Sequence, residues 1–431
     1  MIEKVGKYEI LGKIGEGATA TVYLARDPFA GRDVAVKVFS PETLRDKHRG
    51  RVFQHLLMNE AALAGKLMHP HIVQIHDAAI GEDASYIVME YVGGGTLERH
   101  CAPDALLPFD RLVEIVFKCT RALDYAHRLG ITHRDIKPAN ILLAAGDGGQ
   151  EPGDIKVSDF GACIHTGDDT RTQVSGIGSP AYMSPQQVRE QPLDHRTDIY
   201  SLGVVMYQLL AGRLPFQATS NYGMIYQICN SAAPPPSTFR TGIPPGLEAI
   251  VARAMQKELD ARYAGWDEFA HDLAQCFRDR RRVAEHRDVA DSEKFEALRG
   301  LAFFQNFSDV EIWEVVRFSR WDDVGPGTIV MREGESGDFF CFLIEGELRV
   351  YRQDRSLNLL APGDCFGEMA VIGGQPTRGA NVIVRTPARI ATIPGAALHG
   401  ASDACRMHFY RAFLEVLAGR LTHANRQLSS G

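Results

Sequence analysis

His133-Arg134-Asp135-Ile136-Lys137-Pro138-Ala139-Asn140 is the stretch on which the reading of the whole chain turns. A carboxylate, an ammonium and an amide stand close together in it. Asp135 can orient an acceptor hydroxyl and take its proton. Lys137 can neutralise a phosphate in transfer, and Asn140 offers Mg²⁺ a neutral oxygen. Further along, Asp159-Phe160-Gly161 adds a second hard oxygen ligand on a turn. Upstream, Gly15-Glu16-Gly17-Ala18-Thr19-Ala20-Thr21-Val22 is a run of small residues. Such a hairpin can lie against phosphates and turn its N–H groups toward them. Val34-Ala35-Val36-Lys37 sets a lysine on an apolar strand, and Glu60 lies in the helical stretch from Leu57 to Leu63. A lysine so placed can hold phosphate at one end and a carboxylate at the other. A glycine hairpin alone is ordinary, and a strand lysine alone is a solubiliser. It is the order of the five segments that excludes those readings.

Working outward, 431 residues with 45% hydrophobic and 23% charged content fit a globular chain with more than one core. A formal charge of -7 gives no footing for nucleic-acid binding. No long apolar stretch is free of charge, so no membrane span is expected, and the first residues do not read as a secretory signal. The eight cysteines contain no C-x-x-C pair. They read as free thiols in a reducing compartment, which with the foregoing points to the cytoplasm.

From about Tyr8 to Val92, short β-like runs (Thr21 to Ala25, Val34 to Val38, Tyr86 to Glu90) surround one helical stretch. From Leu97 to Ala284 the pattern is mainly helical, with a stripe of Leu112, Val113, Val116, Ala122, Leu123 and Ala126. The charge-dense run from Arg278 to Asp288 reads as a solvated connector. After Phe304, glycines recur between alternating runs, an all-β signature. Leu398 to Leu428 reads as one helix with a frayed end.

With these segments in place, Tyr8 to Phe277 resembles the eukaryotic-type Ser/Thr protein kinase family. Ser184-Pro185-Gln186-Gln187 resembles its bacterial members more than its animal ones. The resemblance implies a two-lobed fold with ATP and Mg²⁺ (or Mn²⁺) in the cleft. The catalytic set it implies is Asp135, Lys137 and Lys37, with Asn140 and Asp159 as metal ligands. Gly15, Gly17, Val22, Ala35, Lys37, Glu60, Met89, Glu90, Val92, Asn140 and Asp159 are its cofactor-binding set. In it Lys37 binds the α- and β-phosphates, Glu60 holds Lys37, Met89 is the gatekeeper and Glu90 to Val92 meet the adenine edge. Lys137, two residues after Asp135, and the loop from Gly178 to Pro185 follow the Ser/Thr pattern. Asp198 is expected to brace the catalytic loop. Arg134 is expected to meet a phosphorylated activation loop, with Thr172 and Ser175 as candidate sites. Two departures stand out. Ala20 replaces the third glycine of the phosphate loop, which is tolerable if φ stays negative. Gln186 replaces a glutamate that pairs with a buried arginine, here Arg262, with an effect expected on stability.

The C-terminal segments Arg332 to Phe340, Ile344 to Tyr351, Leu360 to Ala370 and Thr377 to Ala380 suggest strands joined by glycine turns in a jelly roll. Gly367-Glu368-Met369-Ala370 can open a helix whose free N–H groups attract an anion, and Arg378 is a charge-assisted donor. From about Phe303 to Pro394 this resembles the cyclic nucleotide-binding domain family. The resemblance implies Glu368 on the ribose 2′-OH, Arg378 on the cyclic phosphate, and the backbone of Gly367, Met369 and Ala370 around it. Gly379, after the arginine, lacks the hydroxyl that can favour cGMP, so cAMP is favoured.

The expected fold is therefore α+β: a two-lobed protein kinase fold over 8–277, a charged helical connector over 278–302, and an all-β jelly-roll cyclic nucleotide-binding domain with flanking helices over 303–428. The expected function is transfer of the ATP γ-phosphate to serine or threonine of protein substrates. Regulation by cyclic nucleotide is expected as relief of inhibition, with ligand drawing the C-terminal helix onto the barrel. The alternatives are a constitutive kinase with a docking barrel and a non-catalytic scaffold that responds to nucleotide. Neither nucleic acid nor membrane is an expected partner.

Overall fold

The computed structural model describes residues 3–17, 20–40, 57–58, 60–63, 65–81, 85–145, 154–160, 164–165, 180–281, 290–353, 355–372 and 377–429. The chain divides between Val283 and Ala284 into two compact units.

The first unit opens with β1 (Lys4–Val5), β2 (Tyr8–Glu16), β3 (Ala20–Asp27), β4 (Arg32–Phe39), β5 (Ile75–Ala79) and β6 (Ser85–Glu90). They form one six-stranded sheet ordered β1-β2-β3-β4-β6-β5. Period-two alternation divides its side chains between two faces. Val34 and Val36 join Tyr8, Ala25 and Val88 in one apolar cluster. Phe39 joins Ala20, Leu57 and Ile87 in the other. Lys37 is in register with Val22 and Ile87, so it shares the second face and looks toward the helical segment that carries Glu60.

The rest of this unit is helical: α1 (Phe109–Arg128), α2 (Pro185–Val188), α3 (Arg196–Ala211), α4 (Asn221–Asn230), α5 (Pro245–Ala254) and α6 (Trp266–Arg281). Between α1 and α2 lie the short strands β7 (Ile131–Thr132), β8 (Ile141–Leu143), β9 (Ile155–Val157) and β10 (Ile164–His165). α3 is buried along nearly its whole length and ends at Gly212 in the left-handed region. A helix apolar on all sides forms the spine of a core rather than its surface. α2 begins with a capping box between Ser184 and Gln187.

The second unit contains α7 (Asp291–Arg299), α8 (Asp309–Phe318), β11 (Arg320–Val324), β12 (Ile329–Met331), β13 (Phe339–Glu345), β14 (Leu348–Arg352), β15 (Arg355–Leu360), β16 (Cys365–Phe366), α9 (Glu368–Ile372), β17 (Asn381–Val384), β18 (Ala388–Pro394), α10 (Gly395–Gly400) and α11 (Asp403–Ser429). Two four-stranded sheets, β11-β18-β13-β16 and β12-β17-β14-β15, enclose a core that includes Met331, Leu343, Leu348, Phe366 and Ile390. Outside it, Phe303, Phe304, Phe340, Phe342, Phe409 and Phe413 pack with ring centroids 4.8–6.0 Å apart. That cluster seats α11.

Two stretches depart from their sequence reading. Residues 291–302, expected within a connector, are packed: Phe295 is buried against Trp313 at 4.7 Å, and Glu293 binds Arg389 at 2.7 Å. The helix expected without interruption from Leu398 to Leu428 is instead two helices. Ser402 breaks it, because its N–H and hydroxyl bond Glu314 of α8 at 2.6 and 2.8 Å while its Oγ accepts from the Cys405 N–H. Among the described residues the cysteines are free, and no helix is long and apolar enough to cross a membrane.

Candidate active site and nucleotide cassette

Strand β4 delivers Lys37 to two carboxylates at once. Its Nζ lies 2.9 Å from Glu60 Oε2 and 2.7 Å from Asp159 Oδ1. Burial alone would push this ammonium down, but the charges of Asp159 and Glu60 outweigh it and hold Lys37 above the usual lysine range. In return, Lys37 holds Asp159 below the usual carboxylate range against the opposing effect of burial, with His133 and Lys137 adding to it.

The second group hangs on the loop between β7 and β8. Lys137 Nζ donates to Asp135 Oδ2 at 2.7 Å. Asn140 Nδ2 donates to the backbone oxygen and to Oδ2 of Asp135 at 2.8 and 3.1 Å, which orients the amide. Asp198, fully buried near the start of α3, accepts the N–H groups of His133 and Arg134, both at 2.7 Å. Arg134 and Asp159 both have positive φ, 69° and 67°. Non-glycine residues held there concentrate at functional sites because the surroundings must overdetermine them. Gln187 supports the loop from α2 by donating to the Arg134 carbonyl at 2.8 Å.

Around these groups, Gly15 pairs with Val22 across β2 and β3, and Gly17 N–H bonds the Ala20 carbonyl at 2.9 Å. Ala20 stands in β3 opposite Phe39 and is not among the positive-φ residues. Ala35 is buried opposite Met89, at the end of β6, where Glu90 follows and Val92 continues the chain. Gly161, Thr172 and Ser175 lie outside the described residues. Asn140 and Asp159 make a protein donor set of two hard oxygens, which suits a Mg²⁺ ion that keeps phosphate and water ligands.

Gln186 and Arg262 meet as expected from their places in the sequence. Arg262 is 2% exposed, and burial pushes its guanidinium down to about 10. It donates to Gln186 Oε1 at 3.1 Å and to the carbonyls of Gln256 and Arg196 at 2.9 and 2.8 Å. Among the described residues, these neutral acceptors leave the buried cation without a carboxylate in contact. Replacing Gln186 by glutamate pairs Arg262 with a carboxylate, at about 1.5–3 kcal/mol against about 0.5–1.5 for a neutral hydrogen bond, but gives up the donation of Gln186 Nε2 to the Lys257 carbonyl at 2.9 Å, so a net stabilisation of about 1 kcal/mol or less is expected. Thermal unfolding checks it: a folded variant with an unchanged or lower Tm refutes the assignment.

In the second unit, Arg378 is 6% exposed and stacks on Phe339 with 4.4 Å from Cζ to the ring centroid. Its Nη1 donates to the Gly367 carbonyl at 2.8 Å and its Nη2 to the Phe339 carbonyl at 2.7 Å. Gly367 has φ 80°, and a Cβ there would come within 2.8 Å of Arg378 Nη1. Glycine is thus required both by the turn and by the approach of the arginine. Glu368 is buried at the start of α9, the side chain of Met369 is exposed, and Ala370 is half-buried. A Cβ on Gly379 would meet nothing within 4 Å. One contact had no signal in the sequence: Arg420 of α11 donates to Glu368 Oε1 at 2.6 Å, joining residues 52 positions apart.

The protein kinase domain family matches residues 8–273, and the cyclic nucleotide-binding domain family matches residues 322–403. A probable serine/threonine-protein kinase of Clostridium acetobutylicum is 34% identical over 304 residues, 70% of this chain and 44% of that protein. One of Streptomyces coelicolor is 39% identical over 280 residues, 63% of this chain and 40% of that protein. Serine/threonine-protein kinase PknB of Mycobacterium leprae is 38% identical over 273 residues, 62% of this chain and 42% of that protein. The chain thus spans less than half the length of these relatives. The crystal structure of the PknI kinase domain of Mycobacterium tuberculosis is similar with a TM-score of 0.50 and 28% identity, covering 64% of this chain and 99% of that one. A kinase-domain match of this extent implies ATP and a divalent metal. The chain belongs to the protein kinase domain family and carries a cyclic nucleotide-binding domain after its kinase domain.

Proposed function

We propose that the chain transfers the γ-phosphate of ATP to serine or threonine hydroxyls of protein substrates and that a cyclic nucleotide in its second unit regulates the rate. The observation that carries the catalytic reading is Lys37 held between Glu60 and Asp159. It supports Lys37 as the cation that would meet phosphate and Asp159 as the carboxylate that would hold metal. Asp135 receives the proton of the acceptor hydroxyl as its oxygen bonds to the γ-phosphorus and the bond to the ADP oxygen breaks. Lys137, already on Asp135, balances charge developing on the transferred group. Asn140 and Asp159 would hold Mg²⁺, which when bound neutralises triphosphate charge.

Lys137 and the loop through Ser184 and Pro185 support serine or threonine as acceptor. The regulatory reading is supported by the buried Arg378 beside the Gly367 turn, with cAMP preferred over cGMP because Gly379 offers no hydroxyl. The catalytic reading is tested by transfer from labelled ATP to a generic serine substrate. Asp135→Asn is expected to lower the rate by about 100-fold or more, the scale of general-base contributions. A folded Asp135→Asn chain that works at the parent rate would falsify it.

A further inference from the structure

Asp135 hangs from a short stretch of backbone whose peptide groups are fastened one by one. The N–H groups of His133 and Arg134 donate to the two oxygens of Asp198. The N–H of Asp135 donates to His133 Nδ1 at 3.2 Å, while His133 Nε2 lies 3.0 Å from the Ser158 carbonyl, which assigns the ring proton to Nε2. The carbonyl of Asp135 accepts from Asn140 at 2.8 Å. The carbonyl of Arg134 belongs to the same peptide group as the Asp135 N–H, and it accepts from Gln187 Nε2 at 2.8 Å. The peptide group that leads into Asp135 is thus held at both edges, by an imidazole and by an amide.

Gln187 comes from α2 and is 4% exposed. Its Oε1 accepts the N–H of Ser184 at 2.9 Å, and its own N–H donates to Ser184 Oγ at 3.2 Å. Ser184 Oγ lies 2.5 Å from Oγ1 of Thr197, which adjoins Asp198 in α3. An N–H on one side and a carbonyl on the other require a side chain that accepts and donates at once. Glutamine does both, and neither an ionised carboxylate nor a thioether does. Arg134 stands at φ 69°, a conformation that its surroundings must enforce. We infer that Gln187 is a positioning residue for phosphate transfer: its amide ties the start of α2 to the peptide group before Asp135 and so fixes the direction from which the carboxylate meets the acceptor hydroxyl. This rests on the catalytic reading above, with Asp135 as the base. A residue that only capped α2 would need the bond to Ser184 and not the one to Arg134.

The test is steady-state transfer from ATP to a generic serine substrate by the full chain, comparing the parent, Gln187→Met and Gln187→Glu across pH, with thermal unfolding at each pH to read the fold. Gln187→Met keeps the volume and removes the donor. It is expected to lower kcat by about tenfold or more, the scale on which a displaced reacting group costs rate, with KM for ATP unchanged. In Gln187→Glu the protonated carboxyl can donate to the Arg134 carbonyl, whereas the ionised one meets its lone pairs. Burial and that bond both favour the neutral form, so the introduced carboxyl titrates above the usual carboxylate range. The kcat of Gln187→Glu relative to the parent is therefore highest at low pH and falls by about tenfold as pH rises from about 5 to 8, while the ratio for Gln187→Met stays flat. A folded Gln187→Met at the parent kcat, or a Gln187→Glu ratio that does not move with pH, overturns the inference and leaves Gln187 as a helix cap. If Gln187→Met does not fold, the Gln187→Glu ratio decides alone. A parent that transfers no phosphate overturns the catalytic reading, and the inference with it.

Discussion

Asp159→Ala is expected to abolish phosphate transfer while the first unit stays folded. Asp159 is the carboxylate on Lys37, and the proposed function makes it one of two oxygen donors to the metal. Losing it leaves the triphosphate charge poorly neutralised, which should cost about 100-fold or more in rate. The fold should survive because Lys37 keeps Glu60 at 2.9 Å and so is not left as an unpaired buried cation. Labelled-ATP transfer reads the loss, and thermal unfolding of the same sample reads the fold. Parent-level transfer by a folded variant would show that the metal carboxylate is elsewhere.

Arg378→Ala should remove the response of the kinase to cyclic nucleotide. The guanidinium is buried and already oriented by two carbonyls and the Phe339 ring, so it can meet an anionic phosphate with little reorganisation. Truncating one partner of such a charge pair costs about 2–5 kcal/mol, a loss of about 300-fold in affinity at the centre of that range. Initial rates with and without saturating cAMP or cGMP check the consequence. Relief of inhibition requires a chain ending at residue 282 to be as fast as the liganded full chain, and Arg378→Ala to stay at the unliganded rate at ligand levels that saturate the parent. A typical coupling of about 1–3 kcal/mol sets the scale for binding, though not for turnover. Equal rates throughout, with binding measured in the parent, would leave the barrel as a docking module.

Much of this was legible because the groups sit in short, ordered segments. Lys37 falls on an alternating apolar strand, and Asp135, Lys137 and Asn140 share one loop, so local pattern places them. Glu368 and Arg378 stand at glycine turns that announce themselves. Other features depend on partners far away in the chain. The break at Ser402 is set by Glu314, 88 positions earlier. Helical periodicity runs through Ala401 and Ser402 without a sign of it. Residues 291–302 follow the charge-dense run from Arg278 to Asp288 and group with it as a connector, yet Glu293 and Arg299 there pair with Arg389 and Asp309. Arg420 is a lone arginine on a helix, and only folding reveals that it lands on Glu368.

The pairing of β4 also governs which length changes this sheet tolerates. Lys37 reaches Glu60 only because it has the same parity as Ala35 and Phe39. A one-residue deletion between Val34 and Lys37 would rotate the ammonium into the cluster of Tyr8, Ala25 and Val88 and would turn a valine toward Glu60. The turn over residues 28–31 carries no such constraint, since length added there leaves the register of both strands intact. Among descendants of this sequence, insertions should therefore accumulate at that turn, while the strand itself keeps its residue count.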